Sequence, residues 1–274
     1  MKHMNPLAAC TLMVALALCL TPAQGADARA TGKNRELVAC LADGNPPFSS
    51  TDSVNGGADA EVARTIGKHL YREVRISWVT IPSRGGFSKS LRQSMAPSNC
   101  DLFLGIPVSG QPNEDMVEQR LDSSDPYIFT GYVLVAGRQS SVRSLNEARK
   151  ATRVGVVTAT PADFFLHTQH FNRVPYGSNK DLLNALSDGK VDAGVIWLPA
   201  LANARQQGFE LWPGAVRDDR LQAPGLETHF VIAMRSDSSD LKAGVNSALV
   251  QMSMDGSLAN ILQRHGITPM LAKQ

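Results

Sequence analysis

Aromatic residues make up only 6% of this 274-residue chain. A surface that stacks nucleobases needs more of them. Charge of one sign is also missing in any concentrated form. The 27 Lys and Arg stand against 25 Asp and Glu, a formal net charge of +2, with no Lys/Arg run and no acidic tail. Nucleic-acid binding leaves a basic stripe as its electrostatic footprint, so no nucleic-acid partner is expected. Beyond residue 25 no run approaches the ~18 apolar residues of a membrane span, so stable membrane insertion is not expected once the first segment is removed. There is no internal repeat, no low-complexity segment and no long linker.

Enzyme motifs are lacking too. No G-x-G-x-x-G, P-loop or G-x-S-x-G is present. His167 and His170 form an H-x-x-H on one helix face, but no third ligand stands at metal-binding spacing, and a solvated face is the simpler reading. His69, His229 and His265 are scattered, so no triad is legible. Asp218-Asp219 reads as a solvated turn in a polar loop. The expectation is a protein without catalytic residues, metal or cofactor.

What is present begins with a leader. Lys2 and His3 precede an apolar stretch over residues 7–20, followed by Pro22-Ala23-Gln24-Gly25. This order predicts a secretory signal peptide over residues 1–25 and hence a periplasmic protein. Leu7-Ala8-Ala9-Cys10 resembles a lipobox, but it precedes most of the apolar stretch, the wrong order for a lipoprotein. Cys10 and Cys19 leave with the leader. Cys40 and Cys100 remain in an oxidising compartment, which predicts a disulfide. If the two sit on adjacent parallel strands, with one ending and the other beginning a strand, their Cα atoms fall beyond the ~7 Å bridging limit. A buried pair of free thiols is the alternative.

Strand-like and helix-like patterns alternate. Continuous apolar runs over 36–42 and 101–106 suit a buried parallel sheet, with further strands at 74–81, 131–136, 153–157, 192–197 and 227–234. Helical spacing appears over 59–71, where Asp59 is a candidate cap, and over 86–95, 144–150, 160–170, 179–187 and 199–207. A last helix, 241–264, is expected to break near Gly256. Two alternating runs separated by GYVLVAG imply an α/β protein of two lobes joined by strands that cross directly.

In such sheets ligands collect outside the carboxyl ends of the strands. The loops there carry Asn45 and Phe48, Arg84, Gly105-Ile106-Pro107, Thr158 and Thr160, and Trp197, with Tyr127 near the crossing. Phe48, on a loop stiffened by Pro46-Pro47, is expected at the cleft mouth. Arg84 beside Gly85-Gly86 either meets an anion or is solvated. Thr160 either offers a helix N-terminus to an anion or carbonyl, or merely caps that helix. Trp197 either lines the pocket or fills the core.

The segments LVACLADGNPPF, DAEVARTIGKHL, CDLFLGIP, DPY, RVGVV with its Thr-bearing turn, and KVDAGVIW occur in this order along nearly the whole mature chain. Together they resemble the family-3 periplasmic solute-binding proteins. The resemblance implies a two-lobed Venus-flytrap fold (periplasmic binding protein type II) with two crossover strands: lobe 1 from residues 26–134 and 228–274, lobe 2 from 135–227. Amino-acid receptors of the family grip the ligand carboxylate with an arginine downstream of the CDLFLGIP-like strand and the ammonium with an aspartate at the end of the VDA strand. Here those positions fall at Asn113 and Trp197, with Arg120 further on. A zwitterion in a closing cleft without either partner loses its hydration uncompensated.

Within the family the segments look most like the quinoprotein dehydrogenase-associated proteins of MoxJ and XoxJ type. The likeness lies in Cys40, Asn45-Pro46-Pro47-Phe48, Pro82-Ser83-Arg84-Gly85-Gly86-Phe87, Cys100-Asp101 with Gly105-Ile106-Pro107, and Asp192 through Trp197. It implies an accessory, non-enzymatic role beside a periplasmic pyrroloquinoline-quinone (PQQ) alcohol or methanol dehydrogenase and its c-type cytochrome, with a small-molecule ligand as a further expectation. An ABC-transporter receptor for a small polar solute is the alternative.

Overall fold

A computed structural model describes residues 36–81, 86–109, 113–150, 153–206, 208, 211, 215–221 and 225–268. The leader over residues 1–25 and Arg84 lie outside the described residues.

The first run is β1 (Leu37–Ala42), α1 (Ala58–His69), β2 (Val74–Val79), α2 (Gly86–Ser94), β3 (Leu102–Val108), α3 (Glu114–Glu118) and β4 (Leu121–Ser123). Then β5 (Ile128–Ala136) leads to α4 (Leu145–Lys150), β6 (Val154–Val157), α5 (Pro161–Thr168), β7 (Arg173–Tyr176), α6 (Asn179–Ser187), β8 (Ala193–Trp197), α7 (Leu198–Gln206) and β9 (Val216–Arg220). The chain closes with β10 (Glu227–Arg235), α8 (Ser239–Met254) and α9 (Ser257–Arg264).

Hydrogen-bonded strands run β2-β1-β3-β10-β5-β8-β6-β7, with β4 on β10 and β9 on β5. β1 pairs in parallel with β2 and β3, and β6 in parallel with β7 and β8. These are the two parallel halves that the continuous apolar runs predict. β5 joins them. Its first residues pair with β10 (Phe129 opposite His229), and from Tyr132 onward it pairs with β8. The return passage is the lead-in to β10: Leu226 belongs to the second half's core and Phe230 to the first's.

Each half is a three-layer sandwich, as a sheet buried on both faces requires. Leu37, Ala39, Leu41, Leu102 and Leu104 face α1, α8 and α9, whereas Cys40, Phe103 and Ile106 face α2 and α3 with Leu91, Met95 and Met116. In the second half, Leu134, Val154, Val156 and Val195 meet Leu166 of α5, while Val133, Val135 and Ile196 meet Leu182, Leu186 and Leu201. Each such leucine or phenylalanine, fully out of water, contributes about 1.5–3 kcal/mol.

Gly256, at φ +77°, breaks the last helical stretch into α8 and α9, as its position predicts. Four elements escaped the pattern: α3, β4, β7 and β9. Asp218-Asp219 lies inside β9 and not in a turn. Asp59 does not cap α1; Gly57 holds that position without a side-chain bond, and Asp59 is buried instead.

Cys40 and Cys100 form a disulfide, with Cα atoms 5.8 Å apart. Cys40 pairs with Phe103, so Cys100 lies three residues before that partner. The chain bends across β1 there. Val38 N–H donates to Asp101 Oδ2 (3.0 Å), and Asp101 N–H donates back to Val38 O (2.8 Å). That reciprocal pair brings Cys100 beside Cys40 and removes the geometric objection raised by simple strand extension.

Candidate functional site: the strand crossing

The registers place the carboxyl ends of both parallel halves at one point. Val108, the last residue of β3, stands opposite His229, which stands opposite Phe129 of β5. Trp197, the last residue of β8, stands opposite Tyr132, three positions further along β5. β6 runs parallel to β8, so its end and the turn Thr158-Ala159-Thr160 reach the same region. The Phe129 and His229 rings lie 4.6 Å apart, and those of Tyr132 and Trp197 5.3 Å apart. Trp197 is half-buried and packs against the cores of both halves. It is therefore both core filling and a wall of the crossing.

Several expected cleft residues lie inside the protein. Phe48 is 3% exposed and packs its ring against Phe230, centroids 4.8 Å apart. It is a core residue and not a cleft-mouth one: Asn45 and Ser49 pair their backbones across the proline loop, and the loop tucks the ring inward. Ile106 is fully buried against Leu91, Phe103 and Met116. Tyr127 is buried at the start of β5, where its hydroxyl donates to Asp59 Oδ1 (2.6 Å) and accepts from Gly105 N–H (3.0 Å). Gly105 has φ +77° and sits where β3 carries one residue more than β10, a bulge between Phe103 and Ile106. Asn45 and Pro107 are half-buried and Thr158 is exposed; these keep surface for a partner or ligand.

The helix-terminus question resolves toward capping. Thr160 Oγ1 donates to Val157 O (2.8 Å) and accepts from Asp163 N–H (3.2 Å). Ala159 N–H donates to Asp163 Oδ2 (3.0 Å), and Asp163 is paired with Arg173. The first turn of α5 thus already holds a carboxylate, its own, which occupies the position where the helix dipole favours an anion. Tyr132 also hydrogen-bonds Thr160; burial pushes the Tyr132 hydroxyl pKa up, and that bond partly offsets the rise.

The charged anchors of amino-acid receptors have no counterpart at the corresponding positions. Asn113 donates its amide to Pro107 O (3.0 Å) and accepts from Asp115 N–H (3.0 Å), so it caps α3. Arg120 is exposed and directly precedes Leu121, which pairs with Arg235. Arg235 is six residues along β10 from His229, roughly 20 Å from the crossing at strand rise. Trp197 holds the aspartate position. Among the described residues no three His, Cys, Asp or Glu side chains cluster as a metal would need, His167 and His170 included. Sequence reasoning missed Phe129, Tyr132 and His229. The aromatic spacing of YIFTGY was the only signal for Phe129 and Tyr132, and it reads equally well as strand; His229 carried none.

The family model for bacterial extracellular solute-binding proteins, family 3, matches residues 37–268. The chain belongs to this family. Among curated relatives it is 25% identical to the protein MoxJ of Methylorubrum extorquens, over 86% of each chain. It is also 25% identical to a probable histidine-binding protein of Neisseria gonorrhoeae, over 94% of each. Among solved structures, the L-cystine solute receptor of Neisseria gonorrhoeae in its unliganded open conformation matches with a TM-score of 0.70 at 16% identity, covering 88% of this chain and 97% of the receptor. The second substrate-binding domain of a putative amino-acid ABC transporter from Streptococcus pneumoniae matches with a TM-score of 0.66 at 20% identity, covering 84% and 99%. At these identities the structures establish the fold: type II periplasmic binding protein, two lobes with crossing strands. No helix among the described residues is long and apolar enough to cross a membrane.

Proposed function

We propose that this family-3 protein is exported by its residue 1–25 leader and serves, without catalysis of its own, a periplasmic PQQ-dependent quinoprotein dehydrogenase and its c-type cytochrome. In this reading lobe 1 comprises residues 26–134 and 228–274, lobe 2 comprises 135–227, and the crossing face is the docking face. The observation that carries it is the state of the would-be ligand anchors: Asn113 is engaged in a cap, the α5 terminus holds Asp163, and Arg120 stands at the far end of β10. A zwitterion bound there keeps neither a cation for its carboxylate nor an anion for its ammonium, and its desolvation goes uncompensated. The likeness to MoxJ supports the identity of the partner.

An ABC-transporter receptor for a small polar solute is the second reading. It is favoured by the likeness to the probable histidine-binding protein and by exposed Thr158, which follows β6 at the end where that strand runs alongside β8. Co-purification of the mature protein with a purified quinoprotein dehydrogenase and its cytochrome tests the first reading; complex formation by either supports it. No complex, together with an amino acid or other solute raising the melting temperature, overturns it. A solute at 100 times its Kd adds about 2.7 kcal/mol, an effect such a screen detects readily.

A further inference from the structure

The buried acid of α1 does not belong to the anchors discussed above. Asp59 is 1% exposed, and its two oxygens have different surroundings. Oδ1 accepts from the Tyr127 hydroxyl at 2.6 Å; Oδ2 has no hydrogen-bond partner. Tyr127 in turn accepts the N–H of Gly105, the bulge residue of β3. A Cβ at position 105 would lie 2.9 Å from Asp59 Oδ2, so the bulge backbone closes directly over the free oxygen.

We propose that the Asp59–Tyr127–Gly105 chain is a proton-linked latch: with Asp59 protonated it holds the β3 bulge shut, and loss of that proton opens the bulge at the edge of the strand crossing. The proton arrangement follows from the donors. The Tyr127 hydrogen is committed to Oδ1, so Oδ1 acts as the carbonyl oxygen of a neutral acid and Oδ2 carries the proton. On ionisation the carboxylate has one donor and no counter-charge. A buried charge so placed is costly unless more donors or water reach it. The covering segment over Oδ2 is the Gly105 backbone, which therefore has to move. From Gly105 the strand runs through Pro107 to Val108, paired with Phe230 and His229, so this movement is delivered to the crossing.

Among the described residues no cation faces Asp59 to replace that proton. Tyr127 is the titratable side chain that acts on Asp59, and its own hydroxyl is pushed well above its ordinary range by burial and by the facing acid. Glu61, two residues on, turns away to Arg264 and His265 of α9. The first turn of α1 favours the charged form through its dipole. Burial outweighs it and pushes the Asp59 carboxyl up to about 7, inside the range an exported protein meets.

Nitrogen-resolved NMR of the full mature protein from pH 5 to 9 tests this. The Gly105 amide is expected to titrate with a midpoint near 7, and hydrogen exchange over residues 104–107, corrected for intrinsic rate, to quicken above it. D59N, which keeps the shape and removes the charge, abolishes both effects. Y127F leaves the acid under the Gly105 backbone but removes its one donor, so the titration persists with its midpoint moved upward. An invariant Gly105 amide in the unmodified protein overturns the proposal. So does the same titration persisting in D59N, which would assign it to another group.

Discussion

Tyr132 and Trp197 stand directly opposite each other on β5 and β8, ring centroids 5.3 Å apart, at the position where the chain passes from one half of the sheet to the other. Trp197 touches both cores from there. The pair therefore ties the stability of the fold to the shape of the crossing. Trp197→Ala is expected to cost about 2–3 kcal/mol, below the full range for a buried tryptophan because the ring is half-exposed. Urea unfolding measures it. A cost under 0.5 kcal/mol would show that the ring contributes little to packing.

The disulfide closes a loop of 60 residues between Cys40 and Cys100. Loop-entropy arguments put its contribution at about 4 kcal/mol as an upper figure, with typical values of 2–4. Chemical denaturation with and without reductant is expected to differ by that amount. Non-reducing mass spectrometry of the native protein should show a mass lower than the reduced form by two hydrogen atoms.

Gly57 precedes α1 at φ +90°, and a Cβ there would fall 2.4 Å from the carbonyl oxygen of Phe48. Both objections are backbone objections, so no side-chain rotation relieves them. Gly57→Ala is expected to destabilise by more than about 2 kcal/mol. The change would also loosen the Phe48 loop, which fluorescence of Trp78, packed beside Gly56, can report.

Two acids act in opposite senses with pH. Burial raises the Glu61 pKa, but hydrogen bonds from Arg264, Asn55 and His265 more than offset this and bring it down to about 2. An acid depressed in the fold stabilises it fully above its unfolded pKa, and that contribution fades as pH falls from about 4.5 through 2. E61Q should therefore lose stability at pH 7 and show a shallower decline in acid.

Asp59 is the reverse. An acid whose pKa is raised in the fold binds its proton more tightly when native, so its contribution declines as pH rises from about 4 to about 7 and is level above. D59N should be more stable than the unmodified protein at pH 8 and lose that advantage by pH 5. Thermal melts across this range check it.

Much of the architecture is legible in the residues themselves. Continuous apolar runs such as LVACLA and LFLG have no polar face to turn to water, so they form the buried parallel strands β1 and β3. Gly256 breaks the last helix because glycine alone accepts its backbone turn without strain. The shortest edge pieces are not legible. β4 (LDS) and β9 (VRDDR) carry no apolar alternation, and β7 (RVPY) alternates only through Val174 and Tyr176 around a proline; all three exist because β10, β5 and β6 offer them unpaired backbone groups.

The candidate site divides in the same way. Motif order, through its resemblance to the family-3 solute-binding proteins, determined the fold class: a two-lobed α/β protein with no charged anchor at the expected positions. Only the tertiary structure decided which residues stay accessible. Phe48, Ile106 and Tyr127 turned inward, while Phe129, Tyr132 and His229 gathered at the crossing. Local spacing reports which face of an element is buried. Whether that face meets a core, a bulge or a cleft depends on strands distant in the chain, and it is their register that settles it.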